Sequence, residues 1–171
     1  MGKIFLNDNQ LEEWVAAADG IREQFGLYKA LGYVIGEKFY NLVKILYSSR
    51  QSIRSIDEKR KKPDYKPVIE KDLGNSKITI NWDEEYEHEK AVAAEAEQLL
   101  PKFAGLIKDA FAPDEIKEYF KSNPRFGALG HISSDEEFDF FVEHGAVEHS
   151  LDTEINDALI FGDIMKYFGV L

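Results

Sequence analysis

The chain has 171 residues, 44% apolar and 31% charged, a balance that suits one globular domain with a single buried core. It contains no cysteine, which excludes disulfides, thiolate metal centres and thiol nucleophiles. The net charge of −11 is unevenly divided: residues 1 to 82 carry 14 Lys/Arg against 11 Asp/Glu and residues 83 to 171 carry 7 against 21, so the first part is +3 and the second −14.

The opening segment Met1 to Asp8 holds one lysine and a very short apolar run, unlike a secretory leader. No window approaches the roughly 20 apolar residues of a spanning helix, so the expectation is a soluble, cytoplasmic protein with no membrane partner. Asn7, Asp8 and Asn9 are good helix N-caps. Leu11, Trp14, Val15, Ala18, Ile21 and Phe25 then follow a helical stripe, and Gly26 suits its C-cap.

From about Leu27 to about Arg60 apolar residues recur with helical period: Leu31, Val34, Ile35, Phe39, Leu42, Ile45, Leu46, Ile53 and Ile56. One helix of that length would span roughly 50 Å, so part of it is expected to project past the core or to pack against a second copy of the chain. Gly32 and Gly36 within it permit close approach or a bend. Lys59, Arg60, Lys61 and Lys62 complement the dipole at its end, and Pro63 stops it.

The period changes between residues 67 and 82. Val68-Ile69, a Gly74-Asn75-Ser76 turn, and Ile78, Ile80 and Trp82 alternating with Lys77, Thr79 and Asn81 predict a small β-hairpin. Asp83 is expected to cap a third helix with the stripe Val92, Ala96, Leu99, Leu100, Phe103, Leu106, Ile107 and Ala110, kinked or split at Pro101. A short helix follows from Pro113 to about Ser122, then a turn-rich loop from Asn123 to His131. A helix capped by Ser133 or Ser134 runs to about Glu143, and a last one runs from about Ser150 to Phe168. The sum is a mainly α, single bundle-like domain of about six helices, one of them long, with a small hairpin.

Two groups of residues could hold a divalent metal. Glu85 and His88 stand three apart on the predicted third helix, which puts carboxylate and imidazole on one face. His131, His144, Glu148 and His149 supply imidazole and carboxylate within nineteen residues. Against both, acidic residues in a first helical turn serve the dipole, and histidines commonly bond neighbouring carboxylates. No nucleophile elbow, Walker loop or dinucleotide fingerprint occurs, so no catalytic residue and no cofactor is predicted.

Arg50, Arg54, Lys59, Arg60, Lys61, Lys62 and Lys66, with Tyr47 and Tyr65 nearby, could track a nucleic-acid backbone. The acidic remainder opposes this, and a basic helix end met by acidic groups of the same molecule or of a dimer mate is simpler. Between Arg125 and Lys166 there is no Lys or Arg, while Asp135, Glu136, Glu137 and Asp139 open an acidic run that could attract a basic protein. The leading expectation is a non-enzymatic interaction or regulatory module that binds another protein or itself; the alternative is a metal-binding protein or metal-dependent enzyme, and the third is nucleic-acid binding.

Overall fold

The computed structural model describes residues 7–122, 160 and 162–169. Among these the chain is mainly helical, with one two-stranded antiparallel hairpin. The first helix, α1 (Asp8–Phe25), begins with a reciprocal cap: the Gln10 N–H donates to Asn7 Oδ1 and the Asn7 N–H to Gln10 Oε1, both at 2.9 Å. It ends at Gly26, whose φ of +99° turns the chain sharply while its N–H still reaches the Arg22 carbonyl.

The expected long helix exists, but in three parts. Helix α2 (Leu27–Leu31) continues without a break into a π-helical stretch (Gly32–Phe39) and then into α3 (Tyr40–Arg60). Gly32 and Gly36 lie in the π stretch, and the Tyr119 hydroxyl sits 3.5 Å from where a Cβ would stand at either glycine. Of the two readings these glycines allowed, an approach by a neighbouring element is present, made by the Tyr119 hydroxyl. The second half of this helix is not an unsupported projection: α4 (Trp82–Ala110) runs antiparallel along it, so that Arg60 meets Asp83 at one end and Arg50 meets Glu97 ten residues back.

Helix α4 starts two residues earlier than the sequence implies, because Asn81 and not Asp83 is the cap; Asn81 Oδ1 accepts from the Glu84 N–H at 3.2 Å. It also continues through Pro101, which neither splits it nor ends it. Pro101 is on the exposed side, where water can take the Glu97 carbonyl that the missing N–H leaves free. Helix α5 (Pro113–Ser122) is fastened by the Glu115 carboxylate, which accepts from the Ala112 N–H. Residue 160 and residues 162–167 are also helical, and Ile160, Ile164, Met165 and Phe168 join the core.

The core lies where α1, the π stretch, the first half of α3, the second half of α4 and α5 meet. Phe39 is its centre: fully buried, it touches Phe103, Tyr167 and Phe168 with ring centroids 5.0 to 5.6 Å apart. Trp14 closes one side edge-on to Phe103. Arg22 ties α1 to the end of α4: Nη2 donates to the Ala110 carbonyl at 3.0 Å and the guanidinium lies 4.1 Å over the Phe111 ring. A cation on the last carbonyls of a helix meets its negative end.

The hairpin stands at the opposite end of the α3 and α4 pair. Strands β1 (Val68–Asp72) and β2 (Lys77–Asn81) pair with Ile69 opposite Ile80 and Lys71 opposite Ile78. Gly74, at φ +87°, makes the tight turn, braced by Asp72 Oδ1 accepting from its N–H. Among the described residues no helix is long and apolar enough to cross a membrane.

Candidate functional site

The distal end of the α3 and α4 pair opens into a cleft of about 1180 Å³. One wall is α3, through Gln51, Ser52, Ser55, Ile56 and Lys59; the other is β2, through Thr79, Ile80 and Asn81; the first turns of α4 close it with Trp82, Glu84, Glu85 and His88. The elements meet here because Pro63 stops α3, the hairpin returns the chain, and Asn81 starts α4 directly from the end of β2.

A second set of contacts holds the returning chain in place. Asp83 Oδ1 accepts from Arg60 Nη2 at 2.9 Å and from the Tyr65 hydroxyl at 2.8 Å, linking the end of α3, the connecting loop and the start of α4. The Arg60 guanidinium also lies 3.9 Å over the Tyr86 ring. The hydrogen bonds from Tyr65 and then Arg60 hold the Asp83 carboxyl below the usual carboxylate range. Tyr65 is itself pushed up, first by its desolvated position and then by its bond to Asp83. Arg60 is raised by the same partners.

Within the cleft, Lys59 is occupied: its Nζ lies 3.0 Å from Ser55 Oγ and 4.8 Å over the Trp82 ring. Glu84 is exposed and Glu85 half-buried, and neither carboxylate has an ion-pair partner among the described residues. Glu85 and His88 both line this cleft. Among the described residues, however, no group of three His, Cys, Asp or Glu side chains is placed to hold one metal ion. His131, His144, Glu148 and His149 lie outside the described residues, as do Asp135, Glu136, Glu137 and Asp139.

Sequence reasoning passed over Glu89, which is only 2% exposed. It belongs to the acidic stretch that opens α4, where Asp83, Glu84 and Glu87 are exposed. The signal was available: stepping back from Val92 and Ala96 by three and seven residues lands on Glu89, inside the apolar stripe. Of the basic stretch, Arg50, Arg60 and Lys61 pair with Glu97, Asp83 and Glu58, so these counter-charges come from α3 and α4 themselves.

The outer surface of the hairpin is also part of this end. Both strands are exposed along almost their whole length. The register puts Val68, Glu70, Asp72, Lys77, Thr79 and Asn81 on one face, where Glu70 and Lys77 form an ion pair of 2.8 Å. It puts Ile69, Lys71, Ile78 and Ile80 on the other, and the alternation carries Leu73 to that side. Comparison with family models, curated proteins and solved structures finds no match to this chain, so its function is argued from this geometry.

Proposed function

We propose that the protein is a non-enzymatic interaction module that binds another protein through the hairpin end. What supports this reading above all is the apolar face of the hairpin, on which Ile69, Leu73, Ile78 and Ile80 are 39 to 49% exposed. Four large apolar side chains on one side of a two-stranded ribbon are costly in water, and such a ribbon is marginal without a packed face. A protein surface laid on that face removes the cost.

The test is the double substitution Ile69→Thr and Ile78→Glu in the full chain. Thr keeps strand propensity, and Glu at this position stands opposite Lys71, so the hairpin is expected to survive. The expected outcome is an unchanged far-UV circular dichroism spectrum and melting temperature with loss of a partner that the unaltered chain recovers from native lysate. Equal recovery of that partner by the double variant would overturn the proposal.

A further inference from the structure

Strand β2 has one edge against β1 and a second edge open to the cleft. Which backbone groups occupy the open edge follows from the phase of the ladder. The Trp82 N–H donates to the Pro67 carbonyl at 2.7 Å, and the Leu73 N–H donates to the Ser76 carbonyl at 2.8 Å. Hydrogen-bonded and non-bonded pairs alternate along an antiparallel ladder. The pairs Ile69 with Ile80 and Lys71 with Ile78 are therefore the bonded ones, and Lys77, Thr79 and Asn81 turn their N–H and C=O groups away from β1.

Thr79 is the residue that matters. It lines the cleft, whereas no β1 residue does. No other part of the described chain hydrogen-bonds its N–H or C=O. The cleft lining sets Glu84 and Glu85 against the single cation Lys59, which leaves one negative charge in excess, and neither carboxylate has an ion-pair partner among the described residues. Ile56, Ile80 and Trp82 add an apolar floor.

We infer that the cleft receives an extended, basic peptide segment of a partner protein, which adds to β2 as a third strand through the Thr79 N–H and C=O. This names the chemistry of the partner in the interaction reading above and rests on that reading. An extended backbone is the occupant because only a strand repeats donor and acceptor at the spacing the edge presents. Its Lys or Arg side chains answer Glu84 and Glu85, and an apolar side chain reaches Ile56 and Trp82. The five residues of β2 span about 17 Å, so a peptide of about six residues fills the edge. A cleft of about 1180 Å³ exceeds the roughly 300 to 1,000 Å³ of small-molecule pockets, which suits a peptide.

The experiment selects binders to the full chain from a displayed library of fully randomised hexapeptides and measures each against four variants: the Ile69→Thr and Ile78→Glu chain described above and three new ones. Thr79→Pro removes an N–H that the β1 ladder does not use, and proline is tolerated on such an edge. Thr79→Ala keeps that N–H, and Glu84→Gln with Glu85→Gln removes the charge. Circular dichroism and melting temperature establish that each variant is folded.

Selected peptides are expected to be rich in Lys and Arg. Their binding should fall about tenfold or more in Thr79→Pro and in the double Gln variant, and stay within about twofold in Thr79→Ala. An empty selection, acidic binders, or binders indifferent to Thr79→Pro would overturn the inference. Binders lost instead in the Ile69→Thr and Ile78→Glu chain would sink the edge inference and leave the interaction reading standing. A chain that sediments as a dimer, and as a monomer after Thr79→Pro, would replace the partner peptide with a second copy and overturn the inference as stated.

Discussion

Asp83 is the residue on which the hairpin end turns. It accepts from Arg60 and Tyr65 at once, and those bonds lower its pKa. A carboxyl with a folded pKa below its unfolded value binds fewer protons in the folded state. Its contribution to stability is therefore present above the unfolded pKa and is lost as pH falls through the folded one. Asp83→Asn keeps the shape without the charge. We expect the unaltered chain to melt above Asp83→Asn at about pH 6 and the gap to close progressively below about pH 4. A gap independent of pH between those limits would show that the bonds act through shape alone. This latch was not legible in the sequence, because Tyr65 and Asp83 are brought together only by the hairpin return: Arg60 and Tyr65 stood out as part of a basic stretch and Asp83 as a cap it turns out not to be. Glu89 was legible in principle, since the stripe of α4 passes through it, but the identity of the residue outweighed its phase.

At the scale of elements, periodicity carried most of the fold. The turn residues and the alternation from Lys77 to Trp82 were enough for the hairpin, and the strands fall within the expected limits of residues 67 and 82. What periodicity could not distinguish was an α-helix from one that widens for two turns, because the apolar residues Val34, Ile35 and Phe39 point inward in either case. Nor could it place Tyr119, which comes from a distant helix to lie against Gly32 and Gly36. That contact makes a prediction about size. A methyl group at Gly36 would meet the Tyr119 hydroxyl at 3.5 Å, an ordinary contact, and Gly36 has no left-handed φ to lose. Gly36→Ala should then stabilise the chain by about 0.5 to 1 kcal/mol through the unfolded state. Gly36→Leu has no room without moving Tyr119 and should cost about 1 to 3 kcal/mol. Urea unfolding of the two variants checks both, and a destabilising Gly36→Ala would mean that the π stretch itself needs glycine.

On the scale of the whole molecule, the charge division acquires a meaning it lacked in the sequence. The basic end of α3 is met by Glu58, Asp83 and Glu97, all within the α3 and α4 pair. By formal charge the stretch that begins at Asp135 holds acidic residues and no Lys or Arg until Lys166, and it dominates the net charge of −11. An excess of one sign draws an oppositely charged partner and speeds encounter, the more so at low salt. The interaction proposal therefore makes a demand on residues far along the chain from the hairpin. Replacing Asp135, Glu136 and Glu137 together by Lys cuts the net negative charge by about half. We expect the circular dichroism and melting temperature to be retained and recovery of the partner from lysate to be lost. Salt separates the two ways this could arise. If the run acts only by steering, wild-type recovery should also fall steadily as ionic strength rises past about 0.15 M, where the screening length is near 8 Å. If it touches the partner directly, close pairs are screened less, and the variant should fail at ionic strengths where the unaltered chain still binds. Recovery that ignores both the substitutions and the salt would take the acidic run out of the interaction and leave the hairpin end to carry it alone.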